Sequence, residues 1–251
     1  MELVTRIIRN RLAAFGAVML LLILIISLLT PVLGLTDPNV IDTSNRFMLP
    51  FGEGHLLGAD HLGRDILSRL LWGTRLSLMV GVAAALIAAT AGSLIGILAG
   101  YYGRRLDMML MRSIDVLMAF PYILLALAIV AVLGPSLMNA LIAVAIVNIP
   151  FFARNVRGAT LTIAQSDYIA AARLSGQNTF SLLLFELMPN LISVIVVAFS
   201  TTVGWMILET AGLSFLGLGS QPPQSDLGSM LGEGRAALIT LPHTSLIPGI
   251  M

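Results

Sequence analysis

Long apolar stretches recur along the chain, at residues 12–29, 77–100, 113–133, 137–152 and 182–208, and they limit its fold more than anything else in it. A helix needs roughly 20 apolar residues to cross a bilayer core of about 30 Å. A water-soluble fold could not cover so much apolar surface: 57% of the residues are hydrophobic and 11% charged, against about 25% charged in a soluble domain. The expected fold class is all-α, a polytopic membrane helix bundle of about five complete spans. A sixth span is expected to begin in 236–251, either broken and short or left incomplete at Met251.

Charge placement orients these spans. All 14 basic residues are Arg. Arg6, Arg9 and Arg11 precede the first apolar run, which places the amino terminus in the cytoplasm by the positive-inside rule. That run is too long for a signal peptide, and Pro31 and Leu33 follow it instead of a small-residue cleavage site, so it reads as an uncleaved helix. Residues 36–75 balance Asp37, Asp42, Glu53, Asp60 and Asp65 against Arg46, Arg64, Arg69 and Arg75. This is the expected external stretch, irregular around Asp37-Pro38, Pro50 and Gly52 and ending in a short helix from near Asp65. Arg104, Arg105 and Arg112 mark the next loop as cytoplasmic, as do Arg154 and Arg157 after the fourth run. The division expected is 1–76, first helix and external loop, and 77–251, the remaining bundle.

Within the spans, Gly92, Gly96 and Gly100 fall on one helix face, a seam for close packing either inside the chain or between subunits. Pro121, after Phe120, predicts a kink in the third span, for packing or to line a pathway. Asn148 must face protein or water. Phe120, Pro121, Asn148 and Trp205 are the candidate pathway residues. The fifth span passes Pro189 near its start and is expected to end at Glu209. LSFLGLG beyond it is too short to span and reads as a small hairpin or re-entrant element.

Catalytic chemistry is not legible. The chain has no phosphate loop, no metalloprotease His-Glu pair and no Cys. His61, between Asp60 and Asp65, reads as part of a loop, with Asp65 near a helix start; no metal site is assigned. Asp115, Glu186 and Glu209 fall near predicted helix ends, which gives little support to an ion-gradient-driven secondary transporter or channel, the alternative function.

The segment 167–190, DYIAAARLSGQNTFSLLLFELMPN, interrupts the apolar runs. Asp167 stands where an N-cap belongs, the alanines favour a helix over 168–175, Arg173 suits its last turn, and Gly176 can end it in a left-handed C-cap. Such a helix either fits a cleft in another protein or rests on lipid headgroups, although it lacks the basic face of headgroup-bound helices.

Four motifs occur in order: HLLGADHLGRDILSRLLWGTRLSL (55–78), IDVLMAFPYILLAL (114–127), the segment 167–190, and ETAGLSFLGLGSQPP (209–223). Together they resemble the dipeptide, oligopeptide and nickel permeases of bacterial ABC importers. The resemblance implies a multi-pass subunit of the bacterial plasma (inner) membrane. It would pair with a homologous second permease, two cytoplasmic ATPase subunits and an external substrate-binding protein. ATP and Mg would sit on the partners and no cofactor on this chain, which would pass peptides, glutathione-like compounds, nickel or other metal chelates inward by alternating access. The family's docking loop, here about 154–181, reads Glu-Ala-Ala, three residues, Gly, and later Leu-Pro. Ala170 stands in the glutamate's place, followed by Ala171, Ala172, Gly176 and Met188-Pro189. The ATPase-coupling residues so implied are Asp167, Tyr168, Ala170, Ala171, Ala172, Arg173, Gly176 and Pro189.

Overall fold

The structure, a computed structural model, describes residues 10–52 and 54–251. Arg6, Arg9 and Glu53, used above to orient the chain, lie outside the described residues. Nine helices of eight residues or more are present among the described residues, and no strand. They are α1 (Arg11–Leu29), α2 (Ile66–Tyr102), α3 (Arg104–Met118), α4 (Tyr122–Leu133), α5 (Leu137–Ile163), α6 (Asp167–Leu174), α7 (Met188–Phe215), α8 (Leu227–Gly234) and α9 (His243–Ile250). The regions Arg11–Val32, Ile66–Tyr102, Leu137–Ile163 and Thr179–Phe215 are long and apolar enough to cross a membrane, and α3 with α4 make a fifth if the bent pair is one span. The all-helical fold expected from the sequence is thus present.

Several expected boundaries move, each for a local reason. The short helix near Asp65 and the second span are one 37-residue helix, α2. Asp65 does begin it, accepting the Ser68 N–H at 2.7 Å. Nothing between them breaks the helix, because Ser68, Arg69, Thr74 and Ser77, polar enough to suggest a loop, are buried on it. The third span is not kinked but broken: Ala119, Phe120 and Pro121 separate α3 from α4, and the two axes meet at 87°. Pro121 is extended, with ψ 127°, and a residue before proline disfavours the α region, so Phe120 leaves the helix as well. The fourth span continues through Pro150 to Ile163 instead of stopping at Phe152. Arg154 and Arg157 lie inside it, facing carboxylates of α3. Glu209 likewise lies inside α7, which continues six residues to Phe215, so Leu213–Phe215 of the expected hairpin is helical. The predicted beginning of a sixth span is the eight-residue α9, containing Pro248.

The described residues form two compact units, one up to Ser77 together with Pro222–Met251, the other Leu78–Gln221. In the first, Ile66 and Leu70 pack on Met230, with Leu57, Leu227 and Ile247 around them. Beside this core lies an ion network. Arg64 Nε donates to Asp60 Oδ2 at 2.7 Å, and Arg64 Nη2 to Glu233 Oε2 at 2.6 Å. Arg69 Nη1 bonds both carboxylates. Arg64 and Arg69 side chains are 3% and 1% exposed, so these are buried charges that require each other. Burial by itself would raise the Asp60 carboxyl. The guanidiniums of Arg69 and Arg64, with the N–H groups of Arg64 and Leu62, outweigh it and hold the group below the usual range.

In the second unit α2 and α5 approach along the glycine face. A Cβ on Gly96 would lie 2.6 Å from the Ala153 carbonyl oxygen and 2.8 Å from the Arg157 nitrogen; one on Gly92 would lie 2.6 Å from Phe152 Cβ. Of the two readings of this stripe, packing within the chain is the one observed. The adjoining core comprises Ile97, Val156, Leu187 and Leu191. Arg157 grips Asp107 through two bonds, Nε to Oδ1 at 2.6 Å and Nη2 to Oδ2 at 2.5 Å, and Arg154 Nη2 bonds Asp115 at 2.6 Å, joining α5 to α3.

Candidate functional site

Two places in the second unit bring the candidate residues together. The first is α6 and the turn after it. Asp167 is the first residue of the helix and not its cap. Ser166 precedes it, but its hydroxyl donates to the Ile163 carbonyl at 2.6 Å, so no side chain caps the helix and Asp167 acts only through its charge in the first turn. Gly176 has φ +80°, the left-handed conformation expected of it, and its N–H and that of Gln177 reach the carbonyls of Arg173 and Ala172 at 3.1 and 3.3 Å. Ile169 is fully buried and anchors the helix. Arg173 also contacts α2, its guanidinium lying 4.9 Å from the centre of the Tyr101 ring.

Besides the charged Asp167 and Arg173, α6 leaves apolar and small residues uncovered. Tyr168, Ala170 and Ala171 are exposed. Leu174 is 89% exposed, and Phe180 in the next turn 75%. Pro189 follows within the run Thr179–Phe215, where its missing N–H leaves the Phe185 carbonyl without its usual partner. The turns Leu182–Leu187 before it are π-helical, wide enough to admit the proline without ending the run. This irregular turn had no sequence signal other than the proline itself.

The second place lies between α5 and α7. Asn148 Nδ2 donates to Glu209 Oε2 at 2.7 Å and to the Val144 carbonyl at 2.9 Å. The Trp205 side chain, one turn before Glu209, lies beside the same carboxylate. Asn148 and Trp205 therefore meet at Glu209, which lies inside α7 and not at the helix end expected for it. Phe120 and Pro121 sit apart from it in the α3–α4 break, adjacent to Tyr122, whose ring centre is 6.1 Å from that of Trp205. A usable signal for Glu209 was its i+4 spacing from Trp205 in a stretch without Gly or Pro between them.

In the first unit, Asp60, His61 and Glu233 place ligand-type atoms within 4.8 Å of one another. The carboxylates already accept from Arg64 and Arg69, so the donor set suits an internal ion network better than a cation.

The family model described as "Binding-protein-dependent transport system inner membrane component" matches residues 92–249, and "N-terminal TM domain of oligopeptide transport permease C" matches 2–50. The chain belongs to this permease family. It is 42% identical over 241 residues to the dipeptide transport system permease protein of Alkalihalophilus pseudofirmus, covering 96% of this chain and 79% of that protein. Against the glutathione transport system permease protein of Pectobacterium atrosepticum it is 42% identical over 245 residues, covering 98% and 81%. The inward-facing MetNI methionine ABC transporter matches with a TM-score of 0.60 at 19% identity, over 72% of this chain and 88% of that one; this likeness speaks to the fold. The permease is thus a multi-pass inner-membrane component of a binding-protein-dependent ABC transporter. It is a transport subunit and not a catalytic one, in a family that works with partner ATPases.

Proposed function

We propose that this permease imports small peptides or glutathione-like compounds, and that α6 is the element through which ATPase subunits drive it. The amino terminus and α6 face the cytoplasm, and residues 36–65 face outside toward a substrate-binding protein. A homologous second permease completes the pathway, while ATP and Mg are held by two partner ATPases. Peptide or glutathione is preferred to nickel or another metal chelate because relatives at 42% identity are named for dipeptide and glutathione transport.

The observation that carries the docking assignment is the combination of a fully buried Ile169 with an exposed Leu174 on one short helix. The first couples the helix to its own unit, and the second offers a partner an apolar contact. Asp167, Tyr168, Ala170, Ala171, Ala172 and Arg173 form the docking helix, Gly176 ends it, and Pro189 sets the start of the span that carries its motion. ATP binding closes the ATPases on this helix, and the spanning helices rock to switch access.

The test is uptake by membranes carrying the full complex. Peptide uptake is expected to need ATP, to persist when ion gradients are collapsed, and to be accompanied by nucleotide-binding subunits that co-purify with the tagged permease. Uptake that follows an ion gradient in the absence of ATP would instead favour a secondary transporter.

A further inference from the structure

We infer that Glu209, walled by Trp205 and Tyr122, is the point in the pathway that recognises the cationic amino end of a transported peptide. The inference rests on the peptide reading above and specifies how such a substrate is felt inside the membrane.

The carboxylate lies within the span Thr179–Phe215, where facing lipid would be strongly unfavourable. Asp60, Asp65, Asp107, Asp115 and Glu233 each have an Arg or His partner, whereas none pairs with Glu209 among the described residues. Among the described residues its donor is the neutral amide of Asn148, with the Trp205 side chain beside it. A neutral amide orients the carboxylate without supplying a counter-charge, so that role is left to a visiting cation.

Beside it opens an otherwise apolar cavity of about 360 Å³, whose walls include Tyr122, Ile123, Ala126, Trp205 and Leu208. This volume is at the low end for ligand pockets, suited to one end of a peptide and not to a long chain. The rings of Tyr122 and Trp205 are tilted 54° to each other, presenting π surface near the carboxylate. A carboxylate with aromatic walls in an apolar pocket is the chemistry that recognises an ammonium group attached to a carbon skeleton. A bare divalent ion would require several more oxygen ligands than one carboxylate supplies.

The test uses proteoliposomes containing the whole complex, with L-alanyl-L-alanine delivered by the binding protein. Glu209→Gln keeps an acceptor for Asn148 but removes the charge; Glu209→Asp keeps the charge but shortens the reach to Asn148. Recognition of an ammonium predicts that Glu209→Gln lowers the uptake rate about tenfold, the size of one charge-assisted contact, while Glu209→Asp stays within about threefold of wild type. The second permease is expected to co-purify normally with both variants. The reverse ranking, with Gln tolerated and Asp harmful, would identify an interhelical clamp and overturn the inference. Loss of the second permease from Glu209→Gln would overturn it too, by assigning the charge to a side chain of that partner. Equal uptake by wild type and Glu209→Gln overturns this inference alone. Failure of the wild-type complex to import the dipeptide overturns the peptide reading, and this inference with it.

Discussion

Leu174→Asp is expected to abolish ATP-driven uptake while leaving the permease inserted and folded. The side chain is 89% exposed at the end of α6 and supports little within its own chain, so its replacement should change stability by no more than about 0.5 kcal/mol. In the docked complex proposed above, the same position would lie in a desolvated apolar contact. A carboxylate buried there without a partner loses its hydration, and an interface anchor of this kind is worth about 2 kcal/mol or more, a drop in affinity of over tenfold. Two measurements check this: uptake into proteoliposomes, and the amount of ATPase retained by the tagged permease. Leu174→Ala should fall between wild type and Leu174→Asp. Wild-type uptake by Leu174→Asp would remove α6 from the coupling path.

Arg69→Leu has an equally large expected effect, on stability and in the first unit. Asp60 and Glu233 would then share one arginine, Arg64, with His61 4.0 Å from Glu233, and removing one member of a buried ion set typically destabilises by about 3–5 kcal/mol. Faster hydrogen exchange across Ile66–Leu70 and Leu227–Gly234 is the readout. Arg75→Leu, which gives up a guanidinium 5.6 Å from the Trp72 ring centre, should cost about 1 kcal/mol or less. Acid should act in the same direction. With its carboxyl held below the usual range, Asp60 contributes stability that is complete above its unfolded value of about 4 and is lost as pH falls through the lowered folded value. Without Arg69 that depression shrinks, so the variant should loosen at a higher pH than wild type. Identical acid limbs would contradict this role for the network.

The contrast between these sites explains what could be read without coordinates. Apolar length revealed the spans, because crossing lipid demands it regardless of packing. Gly176 was legible because a left-handed cap is a property of the backbone at one residue. Boundaries are not legible where polar residues are buried: Arg69 and Ser68 are helical, and each bonds a partner far along the chain. Pairing of Asp107 with Arg157, across 50 residues, has no local signature. Sequence alone puts Glu209 at a helix end because a charge in a span is unfavourable, and only the fold supplies the Asn148 that makes its position tenable. Pro121 and Pro189 illustrate the remaining limit. Each removes one amide donor, yet one ends a helix and the other is absorbed by a π turn, according to what surrounds it.

Coupling through α6 can be tested directly because the chain contains no Cys. Ala171→Cys places a single thiol on the exposed face of α6, and Val40→Cys, 59% exposed, places one in the stretch proposed to face outside. Each is labelled with a maleimide-benzophenone in transport-active complexes and illuminated. An adduct between this chain and an ATPase subunit is expected from Ala171→Cys and none from Val40→Cys. An active complex that gives no ATPase adduct at Ala171→Cys, or gives one equally at Val40→Cys, would contradict it.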